Sequence, residues 1–316
     1  MYMPYLHGKQ EELFSVIELG ALGPLVVPII KPVNLDGVNV RRLARIAAVT
    51  RLAIITNSDK GRPGQMPSYA SSVTALADQA ITPYTANVFP AFELRGNSTI
   101  AQLTAFATEY AARTCVLIHK NHILAPADVA AAVAPFTVAP IHVFIEPGVA
   151  SGAYAGLPSA ARVVVRDGFD ACQRNSDYPP QSAFDDLAYQ YTSRNFDGFG
   201  DFCMIGDRYS PGGGPALAVA LHVTEDTGQA LLMNHFVSTV TGVDIPTMYF
   251  DAVDRLVANV GNPPRAGMGT LGVARYLNSA TARAYSGLGQ AKRWGAMHHI
   301  ETVQRIIQSS GVAPSF

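Results

Sequence analysis

Lys31, Asn57, Asn87, His119, Lys120, Glu146, Arg166, Asp167 and Asp201 each stand at or near the end of a short apolar run. Ammonium and guanidinium groups pair with carboxylate or phosphate, so Lys31, Lys120 and Arg166 are candidate anion binders, with the amides of Asn57 and Asn87 as further substrate contacts. Glu146 and Asp201 suit general acid–base work if confinement moves a carboxyl pKa towards neutrality, and Asp167 belongs to the same class. His119 titrates near physiological pH and suits a proton shuttle. His119, Glu146 and Asp201 also form a donor set for a divalent ion, but no HxH, HExxH or DxD spacing supports one and no metal is assigned. No motif points to a cofactor. Ionisable groups gathered in a low-dielectric mouth are costly without partners, so their convergence would mark a ligand pocket.

The runs that end in these residues are PLVVPII (24–30), RLAIITN (51–57), PYTANVF (83–89), TCVLIHK (114–120), PIHVFIE (140–146), ARVVVRD (161–167) and GDFCMIG (200–206). Most are rich in Val and Ile and too short for helices. Between them lie stretches with helical spacing, clearest at 68–80, 99–113 and 127–136, with Ser98 and Thr99 as caps for the second. Near-continuous apolar strands alternating with helices imply a parallel sheet buried on both faces. Seven such units within 316 residues fit an α/β fold of the (β/α)8 TIM-barrel type. A doubly wound open sheet is the rival, although no GxGxxG follows the first strand. In a parallel barrel the strand C-termini share one mouth, which is where the residues above would meet.

The rhythm changes after the seventh run. Residues 215–238 read as a hairpin turning at Asp226-Thr227-Gly228, which predicts an irregular closing seam. The triplet Gly212-Gly213-Gly214 precedes a strand, so it lacks the helix N-terminus a phosphate loop needs and reads as a turn. From 245 onward the pattern is helical, broken at GNPPRAG (261–267). The expected organisation is a single domain over 1–316: a helical lead-in over 1–23, the barrel over 24–240, and a helical part over 241–316 packed on it. His298 and His299 are adjacent on a late helix and point about 100° apart, so one packs or caps while the other is free to be delivered to the mouth.

Only 15% of residues are charged, 48% are apolar, and the net charge is −1. That excludes a disordered tail and gives no footprint for bulk nucleic-acid binding. Arg41, Arg42 and Arg45 read as a solvated helix face. Three dispersed cysteines, Cys115, Cys172 and Cys203, indicate neither a disulfide framework nor a zinc ribbon. Neither a signal peptide nor a spanning segment is apparent, so a cytoplasmic protein without membrane contact is expected.

Three further elements carry a resemblance: Lys9 with Glu12 in YMPYLHGKQEEL, Gly200-Asp201-Phe202 in GFGDF, and Trp294 with His298-His299 in RWGAMHHIETV. Together they resemble the "beta family protein" group of bacterial and phage proteins, with a likeness spanning nearly the whole chain. The resemblance implies a barrel-like α/β fold and brings no reaction, cofactor or partner; it adds interest to Lys9, Glu12, Asp201 and His299. The sequence departs from that pattern after Asp201, where CMIGDRYSPGGGP replaces a shorter polar connection. Two functions follow: an enzyme acting on a small anionic substrate by acid–base chemistry at the barrel mouth, or a non-catalytic binding or interaction protein, phage-encoded or part of phage defence. A protein partner or a homo-oligomer is compatible with either.

Overall fold

Eight short strands pair in parallel. In a computed structural model that describes residues 1–33, 37–59, 84–208 and 216–311, the strands are β1 (Tyr5–Leu6), β2 (Ile29–Ile30), β3 (Leu52–Ile55), β4 (Val88–Leu94), β5 (Val116–His119), β6 (Ile141–Glu146), β7 (Ala161–Arg166) and, after an excursion through β8 (Gln181–Asp185), β9 (Gly198–Asp201). The sheet order is β1-β2-β3-β4-β5-β6-β7-β9. Tyr2 bridges both Val26 and Phe199, so the first residues of the chain hold the seam and the sheet curls into a nearly closed barrel. Met3 N donates to Phe199 O at 2.8 Å and Phe199 N to Met1 O at 3.0 Å.

This seam corrects the reading of 1–23 as a purely helical lead-in. MYMPYL supplies the eighth strand, and only then does α1 (Gln10–Leu19) begin. It also explains GFGDF. Gly198 and Gly200 sit where the neighbouring strand comes closest: a Cβ at Gly200 would lie 2.1 Å from Met3 O, and one at Gly198 2.7 Å from Met1 O. Side chains at these two positions would force the seam apart.

The hairpin forms at the expected turn, between β10 (Ala220–Asp226) and β11 (Leu231–Val237), with Thr227 N donating to Ala230 O and Gly228 at φ 80°. It does not close the barrel. β11 pairs instead with β8 in a separate three-stranded antiparallel sheet. Helices α2 (Gly37–Ala47), α3 (Tyr84–Asn87), α4 (Ile100–Glu109), α5 (Pro126–Val133) and α6 (Leu187–Gln190) lie between barrel strands. Thr99 caps α4 through a capping box with Gln102, and Arg41 and Arg45 of α2 face solvent. The expected helix at 68–80 and the Gly212–Gly214 turn lie outside the described residues. Three helices complete the chain: α7 (Ile245–Val260), α8 (Leu271–Ala282) and α9 (Leu288–Ser309). Arg293 of α9 pairs with Glu11 and Glu18 of α1, fixing the last helix against the first. No helix among the described residues is long and apolar enough to cross a membrane.

Alternation along the strands divides the apolar residues into two layers. Met3, Ile29, Ala91, Ile118, Val143 and Val165 belong to the barrel interior. Tyr2, Ile30, Phe92, Leu117, Phe144 and Val164 face the surrounding helices.

Candidate functional site

The same alternation decides where each polar strand end points. In β2 the inward series Val27, Ile29 continues to Lys31; in β4, Phe89, Ala91 to Glu93; in β5, Val116, Ile118 to Lys120; in β3, Ala53, Ile55 to Asn57; in β1, Met3, Tyr5 to His7. Lys31, Lys120 and Asn57 therefore reach the mouth as expected, and Glu93, Tyr5 and His7 join them unforeseen.

At the base of the mouth, Lys31 Nζ lies 2.5 Å from Glu93 Oε2, with the two side chains 1% and 0% exposed. Tyr5 Oη donates to Glu93 Oε1 at 2.8 Å. Burial, and next the adjacent Glu93, push the Tyr5 phenol well above its ordinary range, so it remains a donor. Asn57 grips the Glu93 backbone from both sides: Nδ2 donates to Glu93 O and Glu93 N donates to Oδ1, each at 2.9 Å. Asn57 thus positions Glu93 and does not reach toward a ligand. Above this layer Lys31 also pairs with Asp59 at 2.7 Å, and Arg95 contacts Asp59 at 3.0 Å and Glu93 at 3.7 Å. Lys120 lies 3.8 Å from Glu93 Oε1, pairs with Asp207, and sits about 6 Å from the ring centres of Tyr5 and Phe202. Asp59 and Asp207 follow β3 and β9 and are 41% and 34% exposed. Asp167 is also inward and fastens the segment after β9, accepting from Asp207 N at 2.7 Å; burial raises its pKa. His7 Nε2 lies 3.2 Å from Gly206 O, and burial lowers its pKa to about 4. It is a neutral ring at physiological pH.

The remaining expected residues are elsewhere, which corrects the idea of one convergent set. Asn87 ends α3 before β4 begins, at the opposite end of the barrel, where Nδ2 donates to Ala47 O at 2.7 Å. The apolar strand is Val88–Leu94, not 83–89, and its polar end is Glu93 followed by Arg95. His119 faces outward and is fully buried between His122 and His142, 2.9 Å from each. Burial, with the neighbouring His142 next, holds its pKa well below the ordinary value, so it is no proton shuttle for the mouth. Glu146 and Arg166 also face outward, in a rim network with Asp186 and Arg194; Arg166 lies 3.2 Å from Glu146 and 3.1 Å from Asp186. Buried Asp185, 3.6 Å from Arg166, has its pKa raised to about 6 by burial. Two surface cavities are also displaced from the inner mouth. One, of about 580 Å3, lies by Tyr189, Asp226 and Arg305; the other, of about 440 Å3, follows Glu146 on the rim.

Asp201 heads a third cluster outside the barrel wall. It accepts from Tyr2 Oη at 3.1 Å and from Cys203 N at 2.8 Å, and lies 3.1 Å from His299 Nε2. His298 bonds Thr270 Oγ1 and Thr224 O at 2.7 Å each, so of the two adjacent histidines one packs and the other reaches a strand end. Trp294 is packed edge-on against Tyr276. Glu12 is buried, and burial raises its pKa to about 7. Cys115 and Cys203 are buried and all three cysteines are free.

The signal for Glu93 was present in VFPAFEL, where alternate residues point inward, but Pro90 interrupts the run and obscures it. Comparison of the chain with protein-family models, with curated proteins and with solved structures gave no match.

Proposed function

We propose that this protein takes a small anionic molecule at the inward-facing mouth of the barrel, with Lys31, Arg95 and Lys120 as the anion cradle and Glu93 and Tyr5 as the proton-handling groups beneath it. One observation carries this reading: Lys31, directly after β2, and Glu93, in β4, are buried, whereas two of the carboxylates that match the cations, Asp59 and Asp207, are half-exposed and stand further beyond the strand ends. A buried ion pair contributes little net stability, and apolar residues of the same size commonly serve a fold as well or better. Its retention at a barrel mouth therefore favours a ligand-directed role over a structural one. A carboxylate or phosphate of the substrate would take the places of Asp59 and Asp207, meeting the same three cations. Glu93 then lies below the bound group, next to a phenol that donates a hydrogen bond, in the position of an acid–base catalyst.

A scaffold without turnover is the second reading. It is favoured by the matching of the mouth cations to protein carboxylates already in place. Calorimetric titration with inorganic phosphate and with short mono- and dicarboxylates separates the two. The anion-site reading expects saturable, salt-sensitive binding that is lost in Lys31→Met and Lys120→Met. Heat signals no different from buffer across that series would leave the scaffold.

A further inference from the structure

Outside the barrel wall, Asp201, Cys203 and His299 bring a carboxylate, a thiol and an imidazole within 4.8 Å of one another, all buried. Asp201 and Cys203 belong to one turn at the end of β9, in which Phe202 packs into the barrel. Cys203 has φ 48°, a left-handed conformation that is costly for a non-glycine residue and recurs at functional sites. His299 comes from the middle of α9, with Nδ1 2.7 Å from Thr224 Oγ1 of β10. Its Nε2 is 3.1 Å from Asp201 Oδ1 but makes no hydrogen bond. A fully buried imidazole nitrogen facing a carboxylate and a thiol without a hydrogen bond is an arrangement that proteins rarely keep.

We propose that Asp201, Cys203 and His299 form a binding site for one divalent transition-metal ion of zinc's class, separate from the anion site of the mouth. Sulfur, imidazole nitrogen and carboxylate oxygen together form a donor set that zinc accepts and that magnesium and calcium do not favour. On binding, the Cys203 thiol gives up its proton to solvent and a sulfur–metal bond forms. Thiolate and carboxylate then carry two negative charges, which the dication balances, so the filled site buries no net charge. Thr224 is the orienting partner: with the His299 proton on Nδ1 and shared with Thr224, the Nε2 lone pair is presented to the ion. Tyr2, whose hydroxyl donates to the same carboxylate, supplies a further oxygen at the site. Enclosed by buried groups, the centre is structural in character and ties β9, β10 and α9 together.

Elemental analysis of the purified full chain tests this, followed by chelator stripping and reloading with Co2+. About one zinc per chain is expected, and cobalt should give visible bands of a tetrahedral ion with a sulfur-to-cobalt charge-transfer band in the near ultraviolet. Cys203→Ala should abolish the charge-transfer band. His299→Gln should weaken zinc binding on the order of tenfold or more and remove the rise in melting temperature that zinc gives the stripped wild type. Folded wild-type protein with neither stoichiometric zinc nor the cobalt–thiolate band overturns the proposal. Metal uptake unchanged in both variants overturns it too, by placing the ion elsewhere. The wild-type readouts stand even if a variant misfolds, which circular dichroism detects, and none of them depends on anion binding at the mouth.

Discussion

His119 and Lys120 are neighbours on the chain, yet they belong to polar assemblies on opposite faces of the barrel wall that meet the cost of burial in different ways. Around His119 one set of neutral tautomers satisfies a whole chain of groups. Leu124 N donates to His122 Nδ1, His122 Nε2 to His119 Nδ1, His119 Nε2 to His142 Nδ1, and His142 Nε2 to Pro158 O. Every partner is supplied by the protein, with Phe144 stacked on His119 and Tyr154 tilted against it. Around Lys120 the groups are charged, and the inner partners Glu93 and Lys31 are fixed while the outer ones, Asp59 and Asp207, face solvent. The first assembly is closed, with its ring nitrogens paired within the protein. The second has replaceable members, which is what a binding site requires.

The largest effect separating the two should come from Glu93→Leu, which strands Lys31 beside Asp59 alone; a loss of about 3–5 kcal/mol is expected by urea unfolding. The double variant Lys31→Met/Glu93→Leu should regain most of it. A double variant as unstable as the single one would make the charges structural and erase the contrast with the histidine chain. Next in size is the response to acid. His142 is held neutral by burial with its pKa lowered to about 4, from an ordinary 6.5, and His122 likewise. The folded state therefore binds fewer protons than the unfolded state in this range. The stabilisation is complete above pH 6.5 and is lost as pH falls through 4, by roughly 3 kcal/mol for His142. Melting temperatures followed from pH 7 to pH 4 should fall accordingly. His119→Phe should cost about 2–3 kcal/mol by leaving ring nitrogens unpaired, with anion affinity at the mouth unchanged in the same titrations. The smallest stability change belongs to Asp207→Asn, under about 1 kcal/mol because the pair is part-exposed. Freed from its internal competitor, Lys120 should then bind phosphate or carboxylate roughly fivefold tighter, the equivalent of about 1 kcal/mol.

The barrel was legible because Val- and Ile-rich runs recur with helical stretches between them. The missing strand, MYMPYL, has no β-branched residue and a proline, and its strand character comes from pairing with β2 on one side and bridging Phe199, nearly two hundred residues away, on the other. The site was legible in its residue types and less so in its geometry. Strand ends put Lys31 and Lys120 at the barrel mouth, where the inward alternation also puts them. Taking the polar residues in or near the end of each run without asking which face they occupied placed His119, Glu146, Arg166 and Asp201 in the same mouth, although strict alternation turns them outward. Asn57 lay in the right place with a different role, which only its two bonds to Glu93 disclose. The meeting of Asp201 with His299 depends on how α9 docks, and no local pattern encodes that.

The seam between the first residues and β9 also orders events in time. Phe199, the partner of Met1, Tyr2 and Met3, is made after them and only once the strands between have been made. Until then the barrel is an open sheet with two unpaired edges, the kind of template on which chains join one another. α9, which fastens α1 through Arg293, arrives later still. Contacts of such sequence separation make folding slow, so the nascent chain passes through a long interval in which it is most exposed to aggregation.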